Sequence, residues 1–190
     1  MNYKEVKNPD ELLIFMDSIE YGFVDNDNYK YGSWNEEKFE ETVITKWHLS
    51  SPERLIEVGY GHCFDQVELE RDWFAKHNYN FKTYYIMFLF DYPNDYSTHT
   101  FLIYEENNKW CLFEHSDYYD RGIHKFNTLE DALKYKMKRH IESNKKYNVV
   151  TDEEISHLHI WEYDKPKNNS NFNEFIDNIL ELGTDITPRN

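Results

Sequence analysis

The sequence predicts an α+β fold in which N-terminal helices come first and a helix carrying Cys63 packs on an antiparallel β-sheet. Segments with helix caps and helically spaced apolar residues fill the chain up to about Lys76. Three strand-like runs follow, and a further helix, a last strand and a closing helix come after them. With 190 residues, of which 18% are aromatic, the chain has the size and the apolar material for one domain. We therefore predict a single domain over residues 1–190.

Three helices are predicted before Cys63. Asn8-Pro9 combines a capping residue with a proline at the first helical position, where a backbone N–H is not needed. Ser33-Trp34-Asn35-Glu36 predicts a capping box, in which serine and glutamate satisfy each other's backbone N–H groups. Between these two segments, Tyr21–Tyr31 is predicted to be a small hairpin or loop. The predicted helices cover about residues 9–20, Ser33 to about Trp47, and Ser51 to the glycines at 59 and 61.

From Cys63 onward the pattern changes from helix to strands and back. Cys63 is placed at the N-terminus of a helix that runs to about Lys76, because Gly61 marks a turn just before it. Glu105-Glu106-Asn107-Asn108 predicts the turn of a hairpin between its flanking strands. The predicted strands are Phe81–Phe90, His99–Tyr104, Lys109–Glu114 and His157–Tyr163, and the later helices are Thr128 to about His140 and Asn171–Leu182.

The chain is strongly acidic, with 36 acidic against 21 basic residues and a formal net charge of −15. Proteins bind phosphate backbones through Lys and Arg, so this balance disfavours direct nucleic-acid binding. No apolar run approaches the ~18 residues of a membrane span, and the N-terminal segment lacks the features of a signal peptide. We expect a cytoplasmic protein without a membrane partner, in which Cys63 and Cys111 are reduced thiols.

Cys63, His99 and Glu114 follow the order of a nucleophile, its base and the group that orients the base. His99 comes 36 residues after Cys63, and Glu114 comes 15 residues after His99. A helix N-terminus and a nearby imidazolium together lower the pKa of a thiol from ~8.5 to about 3.5–7.5. The predicted hairpin brings Glu114 beside His99, where a carboxylate would hold the tautomer of the imidazole. We predict these three residues to be catalytic.

Acyl transfer also needs hydrogen-bond donors for the oxyanion that develops on the substrate. The backbone N–H of Cys63, at the start of its helix, is the first predicted donor. The absence of a side chain at Gly61 would allow a substrate backbone to come close. The sequence does not identify a second donor, and Trp47 is one candidate upstream.

Three segments resemble the motifs of transglutaminase-like proteins. Gly61-His62-Cys63-Phe64-Asp65 is similar to the family's Gly-x-Cys-Trp-Asp signature, and His99-Thr100-Phe101 is similar to its His-Ala-Trp segment. Trp110-Cys111-Leu112-Phe113-Glu114-His115-Ser116 resembles its Trp-x-x-x-Asp-Pro-Thr segment, with Glu114 in the place of the Asp. The motifs occur in the family's order and cover roughly residues 55–117.

This resemblance implies a papain-like cysteine fold and acyl transfer through a thioester, which water or an amine then releases. We expect hydrolysis of amide groups in a protein or peptide, without a cofactor or a metal, and cross-linking to an amine stays open. The short spacing between Cys63 and His99 resembles compact bacterial or phage-type members. Phe64 stands where the family has Trp. Because Glu114 has a longer arm than the family's Asp, Asp117 stays open as an alternative third member.

Other interpretations remain open beside the enzyme. The superfamily also contains scaffolds that no longer react, so the chain is alternatively a catalytically inactive transglutaminase-like module that binds a protein partner. An acidic surface would also suit a mimic of nucleic acid. Cys111, inside the apolar run Trp110–Phe113, is predicted to be a core residue. Four residues are of types that ligate metals: His62, Cys63, His99 and His115. Their spacing lacks the close, repeated pairs that are typical of a zinc site.

Overall fold

The computed structural model describes residues 2–33, 37–89, 97–146 and 150–188, which form a mixed α+β structure. A short 3₁₀ helix, Tyr3–Glu5, precedes the first α-helix. The α-helices are α1 (Pro9–Met16), α2 (Phe39–Lys46), α3 (Pro52–Val58), α4 (Cys63–Lys76), α5 (Leu129–Lys146), α6 (Asp152–Ile155) and α7 (Phe172–Leu182). The strands are β1 (Glu20–Val24), β2 (Lys30–Gly32), β3 (Tyr60–Gly61), β4 (Phe81–Phe88), β5 (Thr98–Glu106), β6 (Lys109–Glu114), β7 (Gly122–Phe126), β8 (Leu158–Tyr163) and β9 (Thr184–Asp185). None of the described helices has the length and apolar character needed to cross a membrane.

The strands form two sheets. The larger sheet has six strands in the order β7-β6-β5-β4-β8-β9, and all neighbouring strands are antiparallel. In the smaller sheet β1 lies between β2 and β3, antiparallel to β2 and parallel to β3. The prediction of an α+β fold with an antiparallel sheet is therefore confirmed.

The N-terminal part follows the prediction except at the end of the first helix and at the start of the second. The predicted hairpin between the first two helices is present as β1 and β2. The first helix ends at Met16 and not near residue 20, because Glu20 starts β1 and pairs with Tyr60 of β3. Residues 34–36 of the predicted capping box lie outside the described residues, and α2 begins at Phe39.

In the larger sheet, β6 has the predicted bounds and β5 is longer than predicted at both ends. The turn between them has Asn107 and Asn108 at φ 51° and 58°, the left-handed values that a two-residue type I′ hairpin requires. β4 ends at Phe88, whereas the predicted end at Phe90 lies outside the described residues. The short strands β3, β7 and β9 and the short helix α6 were not predicted, and α5 continues past the predicted end at His140.

Different helices cover the two faces of the larger sheet. Alternation along the strands separates the two faces, so neighbouring residues of β5 enter different cores. On one face, side chains of α4 pack on the sheet: Leu69, Trp73 and Phe74 with Leu102, Tyr104 and Phe113. On the other face, side chains of α5 pack on it: Ala132 and Leu133 with Phe101, Ile103 and Leu112.

Candidate active site

Cys63 is the first residue of α4, and His62 is the N-cap residue of that helix. The thiol is fully buried, with 0% of the residue exposed. The chain reaches α4 through β3, whose parallel pairing with β1 places Tyr21 opposite Gly61. Cys63 thus occupies the helix N-terminal position that the sequence predicts.

Asp65 holds the start of α4 in place. Its carboxylate accepts hydrogen bonds from the backbone N–H of His62 at 2.9 Å, the backbone N–H of Ser50 at 2.8 Å and the indole N–H of Trp47 at 2.8 Å. Burial raises the pKa of Asp65 to about 6, although these donors act in the opposite direction. The indole N–H of Trp47, one candidate for the second oxyanion donor, is thus already bonded to Asp65.

Gly61 is required by packing inside the protein. A Cβ atom at this position would lie 2.5 Å from the Cδ1 atom of Leu55 and 3.3 Å from the Cγ atom of Gln66. Side chains of α3 and α4 therefore fill the space beside the glycine. Internal packing thus accounts for the glycine, and the approach of a substrate backbone at Gly61 stays a prediction.

His99 and Glu114 are in direct contact, with the Nε2 atom of His99 2.7 Å from the Oε2 atom of Glu114. The register of β5 and β6 explains the contact. Leu102 of β5 pairs with Phe113 of β6, so the next residue of β6, Glu114, lies opposite Phe101. His99 is two residues from Phe101 on β5, and its side chain therefore lies on the same face of the sheet as Glu114. Diagonal neighbours are about 7–8 Å apart, farther than directly paired residues. The longer arm of a glutamate suits this separation.

The Glu114 carboxylate is held by four donors. Its Oε2 atom accepts from His99 and from the Nζ atom of Lys136, each at 2.7 Å, and its Oε1 atom accepts from the Asp117 N–H at 2.9 Å and the Ser116 hydroxyl at 3.3 Å. Burial raises the pKa of Glu114, but the charges of Lys136 and His99 outweigh burial and hold the pKa far below its usual range. The structure therefore brings Glu114 to His99, and Asp117 contributes its backbone N–H.

Two imidazoles flank the Cys63 thiol. The Nδ1 atom of His62 is 3.4 Å from the Sγ atom, and His99 is also within hydrogen-bonding reach. Burial raises the pKa of Cys63, but His62 and then His99 outweigh it and lower the pKa to about 5. Burial lowers the pKa of His99, whereas the Glu114 carboxylate raises it to about 9. These opposite shifts favour a thiolate on Cys63 and an imidazolium on His99 near neutral pH.

Sequence reasoning missed three residues of this site. It considered His62 only as a possible metal ligand, although the position next to the nucleophile was visible. The centre of the Tyr21 ring lies 5.3 Å from that of His62, and burial and then the Cys63 side chain raise the pKa of Tyr21 well above its ordinary value. Only the pairing of β1 with β3 could have revealed Tyr21. No local signal marks Lys136, whose burial depends on how α5 packs against the sheet.

A cavity of about 510 Å³ lies beside these groups. Tyr21, His62 and His99, which surround the buried thiol, form part of its wall. Asp117 and Phe172 add an acidic and an apolar part to the lining. A substrate in this cavity would meet the imidazoles before it meets the thiol.

The second cysteine is in a different environment. Cys111 is buried in the core between α4 and the sheet, as predicted, and burial raises its pKa. Both cysteines are free thiols. Within the described ranges, no three His, Cys, Asp or Glu side chains are grouped so that they could hold a metal ion.

The chain matches no model of a known protein family and has no significant match among curated protein sequences. Its site is therefore defined by its own geometry. A buried thiol lies between two imidazoles, and a fully hydrogen-bonded carboxylate holds one of them.

Proposed function

We propose that this protein is a thiol acyl-transfer enzyme that hydrolyses amide groups of a protein or peptide. Cys63 is the nucleophile, His99 is the general acid and base, and Glu114 orients His99. The observation that carries the proposal is the His99–Glu114 pair, 2.7 Å apart, beside a buried thiol whose pKa His62 and His99 lower. The lowered pKa of Cys63 supports it, because the thiolate is the reactive form of cysteine.

The reaction proceeds in two stages. In the first, the Cys63 thiolate attacks the amide carbon, and the His99 imidazolium gives its proton to the leaving amine as the C–N bond breaks. This leaves a thioester on Cys63 and a neutral His99. In the second, His99 takes a proton from water as its oxygen attacks the thioester, and the C–S bond breaks to release the acid and restore the thiolate. Glu114 holds the imidazole ring through Nε2, which leaves Nδ1 for both proton transfers.

Two donors serve the tetrahedral oxyanion in this proposal. The first is the backbone N–H of Cys63, since the first N–H groups of an α-helix have no partner within the helix. The second is the Tyr21 hydroxyl, which reaches the Cys63 side chain and lines the cavity. Tyr21 thus takes the place that the sequence analysis considered for Trp47.

The resemblance to transglutaminase-like proteins supports the same chemistry and a papain-like arrangement. Cys63 begins a helix, and His99 and Glu114 lie on two adjacent antiparallel strands. Phe64, where the family has Trp, stacks on Phe175 at a ring distance of 4.5 Å and belongs to the core. Hydrolysis is proposed over cross-linking, and an amine acceptor is an alternative for the second stage.

One observation favours a different function. The Cys63 thiol has 0% exposure, so a substrate reaches it only if neighbouring side chains move. A catalytically inactive module that binds a protein partner would keep such a thiol covered permanently. In that case a partner complex would form equally well with Cys63→Ala.

The proposed function is tested by incubating the chain with a peptide library and sequencing the products by mass spectrometry. Intact protein mass is recorded in parallel to find an acyl group on Cys63. We expect cleavage by the wild type and by Cys111→Ser, and none by Cys63→Ala. A fluorescent primary amine in the reaction reports transfer to an amine instead of water. Cleavage that survives in Cys63→Ala would contradict the proposal.

A further inference from the structure

Lys136 lies in the middle of α5 and has 0% of its surface exposed. Its Nζ atom is 2.7 Å from the Oε2 atom of Glu114, the same oxygen that His99 contacts at 2.7 Å. A buried ammonium ion is strongly destabilising unless it is paired and hydrogen-bonded. The pairing partner here is the carboxylate that the proposed function uses.

Acidic groups face Lys136 from two parts of the chain. Glu114 comes from β6, and Asp117 and Asp120, from the segment before β7, each have a carboxylate oxygen 3.5 Å from the Nζ atom. Three carboxylates therefore surround one ammonium. The ion pair with Glu114 is the shortest of the three, so the lysine is closest to the carboxylate that holds His99.

Further charged and titratable neighbours lie on α4, α5 and β5. Glu70 of α4 is buried, and burial and then the charge of Glu114 raise its pKa well above the ordinary value, whereas Lys136 acts to lower it. Arg139 contacts the Oδ1 atom of Asp120 at 3.3 Å, so Asp120 is shared between two cations. His140 is neutral at ordinary pH, because burial and then the charges of His99 and Lys136 lower its pKa to about 3. The ring of Phe101, on β5, lies 6.0 Å from the Nζ atom and closes the site on its apolar side.

We propose that Lys136 is a positioning residue for His99, acting through the Glu114 oxygen that the two side chains share. The ammonium fixes the orientation of the carboxylate that receives the His99 ring. It also neutralises part of the negative charge that this ring experiences. The contact of Lys136 with Glu114 and its effect on His99 do not depend on the proposed function. The expected effect of Lys136 on turnover does rest on the proposed function.

The electrostatic consequence can be stated for each partner. Glu114 raises the pKa of His99, and Lys136 lowers it. Without the ammonium, the Glu114 carboxylate would act on His99 with less compensation, and the imidazolium would hold its proton more tightly. Such a general acid would return its proton to the leaving amine less readily.

A purely structural role must be separated from this one. A lysine that only attaches α5 to the sheet would also lower stability when it is replaced. It would leave the titration of His99 unchanged. The titration midpoint of His99 therefore distinguishes the two roles, whereas a melting temperature does not.

The test is an NMR titration of the histidine side chains in the full chain, with His99 assigned by its absence in His99→Gln. Lys136→Met removes the ammonium and Lys136→Arg retains a cation. Lys138→Met is the matched control, because Lys138 lies on the same helix with 75% of its side chain exposed. We expect the His99 midpoint to rise by about one pH unit in Lys136→Met and to stay close to wild type in the other two. An unchanged midpoint in folded Lys136→Met overturns the proposal.

A second measurement needs no replacement of Lys136 by an apolar residue. The ¹⁵N resonance of the buried Lys136 ammonium is followed in the wild type over the same pH range. Because Lys136 and His99 share one oxygen of Glu114, we expect this resonance to shift at the pH where His99 loses its proton. A resonance without a step at that pH overturns the proposal.

Both titrations are read without a substrate, so their outcome is separate from that of the proposed function. If the His99 midpoint responds to Lys136 and no peptide is cleaved, the proposed function fails and the positioning role stands. If peptides are cleaved, the high-pH limit of activity is expected to move upward with the His99 midpoint in Lys136→Met. Cleavage with an unmoved limit contradicts the positioning role alone.

Discussion

The Nδ1 atom of His62 lies 3.4 Å from the Sγ atom of Cys63, so the thiol has an imidazole partner in addition to His99. The thiolate in turn raises the pKa of His62, although burial acts to lower it. Of the two imidazoles, His62 lowers the pKa of Cys63 more. The residue that precedes the nucleophile therefore contributes to its ionisation as much as the proposed base does.

Replacing His62 by glutamine is expected to raise the pKa of Cys63 by about one unit or more, because the imidazole that lowers this pKa most is lost. At pH 6 the thiolate fraction of Cys63, and with it the alkylation rate, should then fall about two-fold for a rise of one unit and about ten-fold for a rise of two units. His48→Gln provides the control, since the His48 ring bonds the Lys46 carbonyl outside the site. Equal alkylation rates in His62→Gln and wild type would show that His62 does not lower the pKa of Cys63.

Glu114→Asp tests whether the longer arm is needed. The change keeps the charge but shortens a side chain that must reach His99 diagonally across two strands. Turnover is expected to drop about 10²-fold or more, because His99 loses the contact that orients it. Glu106→Asp, on the same hairpin, is the control and should leave turnover unchanged. Full activity of Glu114→Asp would show that the separation does not demand a glutamate.

Tyr21→Phe removes the proposed oxyanion donor and keeps the ring. We expect kcat to fall about 10²–10³-fold, the usual effect of losing one such donor. Alkylation of Cys63 by iodoacetamide should change little, since that reaction forms no oxyanion. Tyr29→Phe is the control, because Tyr29 is 62% exposed in the turn between β1 and β2 of the same hairpin. A parallel fall in turnover and alkylation would assign Tyr21 to the thiol and not to the oxyanion.

Stability is expected to depend on His140 in mildly acidic solution. Burial lowers the pKa of this histidine to about 3 in the folded state, whereas an unfolded histidine titrates near 6.5. Between these values the unfolded state binds the extra proton, so stability falls as pH decreases from about 6.5 toward about 3. The slope from this one group is at most about 1.4 kcal/mol per pH unit.

His140→Gln should remove that component, and urea unfolding at pH 7 and at pH 5 measures it. The difference in unfolding free energy between the two pH values is expected to be smaller in His140→Gln than in wild type. His157→Gln serves as the matched control in an exposed position. An identical difference in His140→Gln and wild type would show that His140 is protonated in the folded state.

Local signals in the sequence were sufficient to predict the elements whose formation depends on residues close together in the chain. Asn8 caps its helix as predicted, the predicted closing helix is present as α7, and Asn107-Asn108 forms the predicted turn. Because the turn sets the register of β5 and β6, the approach of Glu114 to His99 could also be predicted. The catalytic roles of these residues stay predictions.

Features that depend on contacts between distant segments could not be read from the chain. The early end of α1 follows from the pairing of Glu20 with Tyr60, 40 residues away. The position of Tyr21 beside Cys63 follows from the same pairing. Lys136 occurs in a helix rich in charged residues, and only packing shows that this lysine is buried.

The measurement that tests the central claim most directly is the pH dependence of iodoacetamide alkylation at Cys63. Peptide mass spectrometry separates it from alkylation at Cys111, whose burial raises the pKa and which serves as the internal control. We expect Cys63 to react with a midpoint near pH 5 in wild type and at clearly higher pH in His99→Ala. If Cys63 reacts only above pH 8, with no change in His99→Ala, the thiolate and imidazolium pair is absent and the proposed function is contradicted.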